Sequence, residues 1–254
     1  MPARPYVLAE TNWKTVKDTR YEVAVLPWGA TEPHNLHLPY GTDVYESKHI
    51  SERAAEYAWN KGAKVITLPT VPFGVNTGQL DLRLAINMNP STQFAVLTDV
   101  ASAIYGQGIR KLVILNSHGG NDFKQMIREL QPRLDMFICT LNWWTSLKST
   151  DFFDEPGDHA GEMETSMMMV LEPDLPLPLK EAGAGKGRKF RIAGLREGWV
   201  WAPRQWTKVT DDTGTGNPFA STREKGERYI RAVSEHVGKF LVDLAGADLN
   251  NMYE

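Results

Sequence analysis

The sequence predicts an α/β fold, a single three-layer α/β/α domain around a largely parallel sheet. Short apolar runs alternate with longer stretches of helical periodicity along most of the chain, the pattern of strands and helices in turn. The apolar runs suit strands buried on both faces, which is how parallel sheets are covered. No internal repeat and no linker interrupts the pattern, so residues 1–254 read as one domain.

The elements follow in order. Residues 21–26 form a β-branched and apolar run that breaks at Pro27, which fits a buried strand. Residues 44–60 carry Ile50, Ala54, Tyr57 and Ala58 at helical spacing, with Gly62 as the stop. Residues 64–68 give a second strand ending at Pro69, and residues 71–89 are irregular. Pro90-Ser91-Thr92 opens a helix bearing Phe94, Leu97, Val100, Ala101 and Ile104. Residues 111–115 are a third strand, 123–134 a helix and 136–141 a fourth strand. A helix over 161–171 places Met163, Met167, Val170 and Leu171 on one side. Segment 173–218, rich in Pro, Gly and Trp, predicts loops with a hairpin. The last helix, 222–245, carries Tyr229, Ile230, Val233, Val237, Phe240 and Leu241.

With 42% hydrophobic and 23% charged residues the 254-residue chain has the composition of a soluble globular enzyme. A net charge of -3 gives no electrostatic case for nucleic acid or an anionic membrane surface. The basic run Lys186-Gly187-Arg188-Lys189 reads as a solvated loop. The single cysteine, Cys139, has no partner for an internal disulfide and sits in an apolar run as a small hydrophobe. The first residues lack the apolar core of a signal peptide, and no run is long enough to span a bilayer, so a cytoplasmic location is expected.

Chemistry is concentrated in three segments that hold four of the six histidines. The loop after the first strand gathers Glu32, His34, His37 and Asp43, a density of carboxylate and imidazole that suits a divalent metal. The second cluster, Asn116-Ser117-His118-Gly119-Gly120-Asn121, follows the third strand; the third is Asp158-His159-Ala160-Gly161-Glu162-Met163-Glu164. In a parallel sheet, ligands bind at the carboxyl ends of strands, so the first two clusters can meet at one edge. Pro33 keeps Glu32 extended, letting Glu32 and His34 project to one side. Glu162 and Glu164 lie about 200° apart on a helix, so at most one of them faces the site, and periodicity does not choose between them. Each residue also has a plainer use. Asp43 suits a helix cap, His37 a core histidine, and Glu162 the helix dipole.

Four motifs resemble those of the creatininase (creatinine amidohydrolase) family. The first is Gly29-Ala30-Thr31-Glu32-Pro33-His34, continuing through His37-Leu38-Pro39 to Thr42-Asp43. The second and third are Asn116-Ser117-His118-Gly119-Gly120-Asn121 and His159-Ala160-Gly161-Glu162-Met163-Glu164-Thr165-Ser166. The fourth runs from Thr213-Gly214-Thr215-Gly216 to Lys225-Gly226-Glu227. They stand in family order over about residues 21–245. The resemblance implies a binuclear hydrolase of non-peptide or cyclic amide bonds, using a metal-activated hydroxide and two ions of zinc, manganese or iron. Glu32 and His118 would hold one metal and His34 the other, with Asp43 bridging. His159 is the expected catalytic residue, with Glu162 beside it. Where creatininase places a glutamate, this chain has Gly120, and Glu164 is expected to supply that carboxylate. His37, Asn121, Trp143 and Trp144 are the candidate substrate contacts. The loop 73–83 departs from the family pattern, which argues against creatinine itself. The resemblance further implies a small-molecule amide substrate and a homo-oligomer, often a hexamer. Competing readings are a formamide or modified-peptide hydrolase of the same family, a sugar-phosphate or lyase-type enzyme, and a non-catalytic metal-binding scaffold. The chain lacks a phosphate cradle, which disfavours the second, and it keeps His159, which disfavours the third.

Overall fold

Chain order in the computed structural model, which describes residues 3–254, runs α1 (Trp13–Val16), β1 (Val23–Trp28), α2 (Thr42–Asn60), β2 (Val65–Thr67), α3 (Pro90–Gly106) and β3 (Lys111–Asn116). It continues through α4 (Lys124–Leu130), β4 (Phe137–Asn142), β5 (Gly157–His159), α5 (Glu162–Leu171), α6 (Ala193–Arg196), α7 (Trp206–Val209), β6 (Thr215–Gly216) and α8 (Arg223–Gly246). Strands β2-β1-β3-β4, in that order, form a four-stranded sheet in which every pairing is parallel.

Side chains alternate across the sheet, and both faces are covered. Val23, Val25, Val65, Val113 and Leu115 meet Ile50 and Ala54 of α2, Met167 and Leu171 of α5, and Tyr229, Val233 and Leu241 of α8. Ala24, Leu26, Trp28, Leu112, Ile114 and Ile138 meet Leu97, Ala101 and Ile104 of α3 and Met126 and Leu130 of α4. The expected three-layer α/β/α fold is therefore present.

Differences from the sequence reading have local causes. Strand β1 continues through Pro27 to Trp28. Val25 and Pro27 bond toward β2, which has already ended at Thr67, so the missing N–H of Pro27 leaves no ladder bond broken. The Pro27 carbonyl still accepts from Val71 N at 3.0 Å. Helix α4 stops at Leu130, and Pro132 lies in a 3-10 turn at Gln131–Arg133. Instead of a local hairpin, β6 pairs antiparallel with the distant β5, which bears His159. Burial pushes the Cys139 thiol up to about 12, in keeping with a packing role. Among the described residues, no helix is long and apolar enough to cross a membrane.

Candidate metal centre

The carboxyl ends of β1 and β3 deliver the chemistry to one edge of the sheet. Gly29, which directly follows β1, passes the first turn of α2 at very close range. A Cβ at position 29 would lie 2.8 Å from both the Asp43 carbonyl carbon and the Val44 nitrogen. That contact sets the loop bearing Glu32 and His34 against Asp43. A backbone bond from Glu32 N to Tyr40 O at 3.1 Å closes the loop. Across the sheet, β3 carries the chain into His118, and β5 ends at His159.

Each of the three imidazoles has one nitrogen committed to a backbone carbonyl. His34 Nδ1 donates to Glu32 O at 3.0 Å, His118 Nε2 to Val75 O at 3.0 Å, and His159 Nε2 to Pro33 O at 2.9 Å. A carbonyl only accepts, so in the neutral ring the opposite nitrogen turns its lone pair into the site. Those nitrogens converge on carboxylates. His34 Nε2 lies 3.0 Å from Asp43 Oδ1, and His118 Nδ1 lies 3.1 Å from Asp43 Oδ2 and 2.9 Å from Glu32 Oε1. His159 Nδ1 is 3.8 Å from Glu32 Oε1, and its ring lies 4.2 Å from that of His34. Three donor triads have ligand atoms within 4.8 Å of one another: Glu32/Asp43/His118, His34/Asp43/Glu164 and Glu32/His34/His159.

The electrostatics couple these carboxylates and imidazoles closely. Burial opposes ionisation of Asp43, yet His34 and His118 outweigh it and hold the carboxyl well below the usual range. Burial likewise opposes the charge on Glu32, which His118 and His159 pull down. In return, and against burial, Asp43 raises His34 to about 10, and Glu32 lifts His118 well above the ordinary value. Buried Asp43 Oδ2 has no hydrogen-bond partner although it faces an imidazole nitrogen. In their neutral form the rings would aim lone pairs at these carboxylates, an arrangement that fits a shared divalent ion; without one, protons on His34 and His118 take its place. The donor set therefore passes the test for metal.

Glu164 faces this cluster, and its carboxylate accepts from Ala160 N. Glu162 points elsewhere. Its Oε2 accepts from Asp154 N at 2.9 Å and Glu155 N at 2.7 Å, and its Oε1 pairs with Lys225. The structure thus does not bring Glu162 beside His159, because the two-residue step along α5 turns it to the other side. His37 shares a 2.9 Å hydrogen bond with Thr165 of α5, and burial, followed by the charge of His34, lowers it to about 4. Asn121 accepts from Val75 N at 3.0 Å and Gln93 at 2.7 Å, and donates to Asn116 Oδ1 at 3.0 Å. Its bonds fix the segment whose carbonyl orients His118. Trp143 is buried in the core with its indole N–H on Ser117 Oγ at 2.8 Å; Trp144, half-buried, packs on its edge.

Three residues near the site were not singled out by the sequence reading. Gln79 donates to Glu32 Oε2, and Trp206 packs on the His159 ring at 4.7 Å. Gln79 ends a 3-10 turn within loop 73–83 and Trp206 opens α7, elements too short to show a period. Glu46, buried one turn after Asp43, carried a signal that was available, the i,i+3 spacing on α2.

The family model of the creatininases, described as creatinine amidohydrolase, matches residues 9–241. The chain is 44% identical to a candidate creatinine amidohydrolase from Bacteroides fragilis NCTC 9343, whose crystal structure superimposes with a TM-score of 0.92 over 98% of this chain and 99% of that one. It is 26% identical over 175 residues to the creatinine amidohydrolase of Pseudomonas putida, a match covering 60% of this chain and 65% of that protein. Solved creatininase structures, including a manganese form and a zinc–zinc form, superimpose at TM-scores of 0.76 and 0.79 with 20% identity, a likeness of fold alone. Over 241 residues, 93% of each chain, it is 23% identical to the 2-amino-5-formylamino-6-ribosylaminopyrimidin-4(3H)-one 5'-monophosphate deformylase of Methanocaldococcus infernus.

Proposed function

The chain belongs to the creatininase family, and from that premise we propose that it is a metal-dependent amidohydrolase, one domain over its whole length, cleaving a cyclic or other non-peptide amide C–N bond in a small molecule. The observation that carries this reading is the set of three imidazoles, each tied by one nitrogen to a backbone carbonyl and each presenting the other to buried carboxylates.

In this reading Glu32, Asp43 and His118 hold one divalent ion and His34, Asp43 and Glu164 a second. Asp43 is shared because its two oxygens face different imidazoles. Zinc, manganese and iron all suit these donors. Bound there, such ions supply Lewis acidity toward an amide carbonyl and toward water. The remaining work falls to the chain. Gln79 holds Glu32 Oε2, leaving Oε1 toward His118 and His159. His159, its Nε2–H on Pro33 O, has only Nδ1 free to take a proton and return it to the departing nitrogen. Trp206, buried against that ring, keeps water from one face of it.

A formamide is the second reading within the same chemistry. It is favoured by the departure of loop 73–83 from the family pattern and by the full-length similarity to a deformylase. The reading also includes a cytoplasmic homo-oligomer, a hexamer by family resemblance. The exposed indoles of Trp199 and Trp201 offer apolar surface for contacts between copies, which light scattering would measure.

The test is metal content of protein purified without added metal, followed by a screen of creatinine, formamidopyrimidines and short peptides. Close to two ions per chain, with turnover in one substrate class, is the expected result. Protein that takes up no zinc, manganese or iron on reconstitution would overturn the reading.

A further inference from the structure

Position 120 is closed to any side chain: a Cβ there would lie 2.2 Å from Val75 O and 2.5 Å from His118 Nε2. Any further carboxylate for the centre has to come from another element. Helix α2 carries one, Glu46, on the same helix face as Asp43. Glu46 is fully buried. Its Oε2 accepts from Ser117 Oγ, the residue before His118, at 3.4 Å, while Oε1 has no partner. Among the described residues, no lysine, arginine or histidine pairs with it. The hydroxyl of Tyr229 is also buried without a partner, and burial, then the charge of Glu46, raises it. Burial, followed by the charges of Glu164 and Asp43, pushes the Glu46 carboxyl well above the usual range.

We propose that Glu46 is the fourth carboxylate of the metal centre, a positioning residue that sets, from outside the ligand triads, the affinity of the more weakly held divalent ion. The inference rests on the two-ion reading above. Glu32, Asp43 and Glu164 supply three negative charges against the four positive charges of two divalent ions. Glu46 supplies the fourth negative charge while the bound water is still neutral, and a dry site favours that balance. It acts through this charge and through Ser117, which leads into His118. With the ions removed, the same buried carboxyl has no counter-charge and its Oε1 no partner. Its contribution therefore changes sign with metal loading, which a residue kept only for packing would not show.

The experiment is chelator competition with zinc and, in parallel, thermal melting of the metal-free protein, for wild type, Glu46→Gln and Glu46→Leu. Both variants are expected to bind the weaker zinc about 10-fold less tightly or worse, with the metal-free melting temperature unchanged or raised. Two zinc ions bound with wild-type affinity in either folded variant would overturn the role of Glu46. So would failure of both variants to fold, because the carboxyl is held to burden the metal-free fold. Failure of the wild type to bind two zinc ions would instead sink the two-ion reading itself.

Discussion

Asp43 is where the two halves of the centre share a side chain, since Oδ1 faces His34 and Oδ2 faces His118. Asp43→Asn keeps the shape but turns one oxygen into an N–H donor. Both ions are expected to be lost together, whereas Glu164→Ala should remove one; metal analysis after gel filtration separates the two outcomes. Equal losses in the two variants would count against a bridging Asp43. His159 makes a different prediction. His159→Asn should leave metal content intact and lower turnover of the hydrolysed amide by about 10²–10⁴-fold. Loss of metal would mean that His159 is a ligand, as its place in one donor triad allows. Glu32, His34, Asp43, His118 and Glu164 were legible as candidates because clustered imidazole and carboxylate at strand ends has few other uses. The choice between Glu162 and Glu164 was not legible, because helical spacing separates them without saying which side faces the site.

Helix α5 distributes its residues among three tasks. Glu164 turns to the metal cluster, Thr165 holds His37, and Glu162 ties the start of the helix to Lys225 of α8. Lys225→Met would leave the buried Glu162 with only its two backbone donors. A loss of about 2 kcal/mol in urea unfolding is expected, with metal content unchanged. Altered metal content would show that the junction reaches the site after all. The Gly29 contact predicts the reverse combination. Gly29→Ala should destabilise by about 1–3 kcal/mol and also reduce metal binding, because the clash displaces the turn that carries Asp43. At this scale the sheet and its covering helices could be read from apolar periodicity. What could not be read were elements too short to show a period, such as α1, α6 and α7, and the pairing of β5 with β6 across distant sequence.

For the molecule as a whole, a metal bound at this centre would work as a clasp. The centre's groups come from the loop after β1, the first turn of α2, the segment after β3, the end of β5 and the first turn of α5. These elements otherwise meet through apolar packing on the α2, α5 and α8 face of the sheet, while without metal the polar groups above it are joined by imidazole–carboxylate pairs. Ions bound only by the folded chain raise its stability by mass action. At a free concentration of about 100 times Kd the gain is about 2.7 kcal/mol per site. For a domain of this size that corresponds to roughly 5–10 °C in melting temperature. Chelation followed by dialysis should therefore lower the melting temperature by at least that amount, and zinc or manganese should restore it in a concentration-dependent way. The restored shift should be absent in Asp43→Asn, which has lost the shared ligand. Melting that ignores both chelator and added metal would mean that the buried carboxylates and imidazoles are satisfied by protons alone, and the hydrolase reading would lose its physical basis.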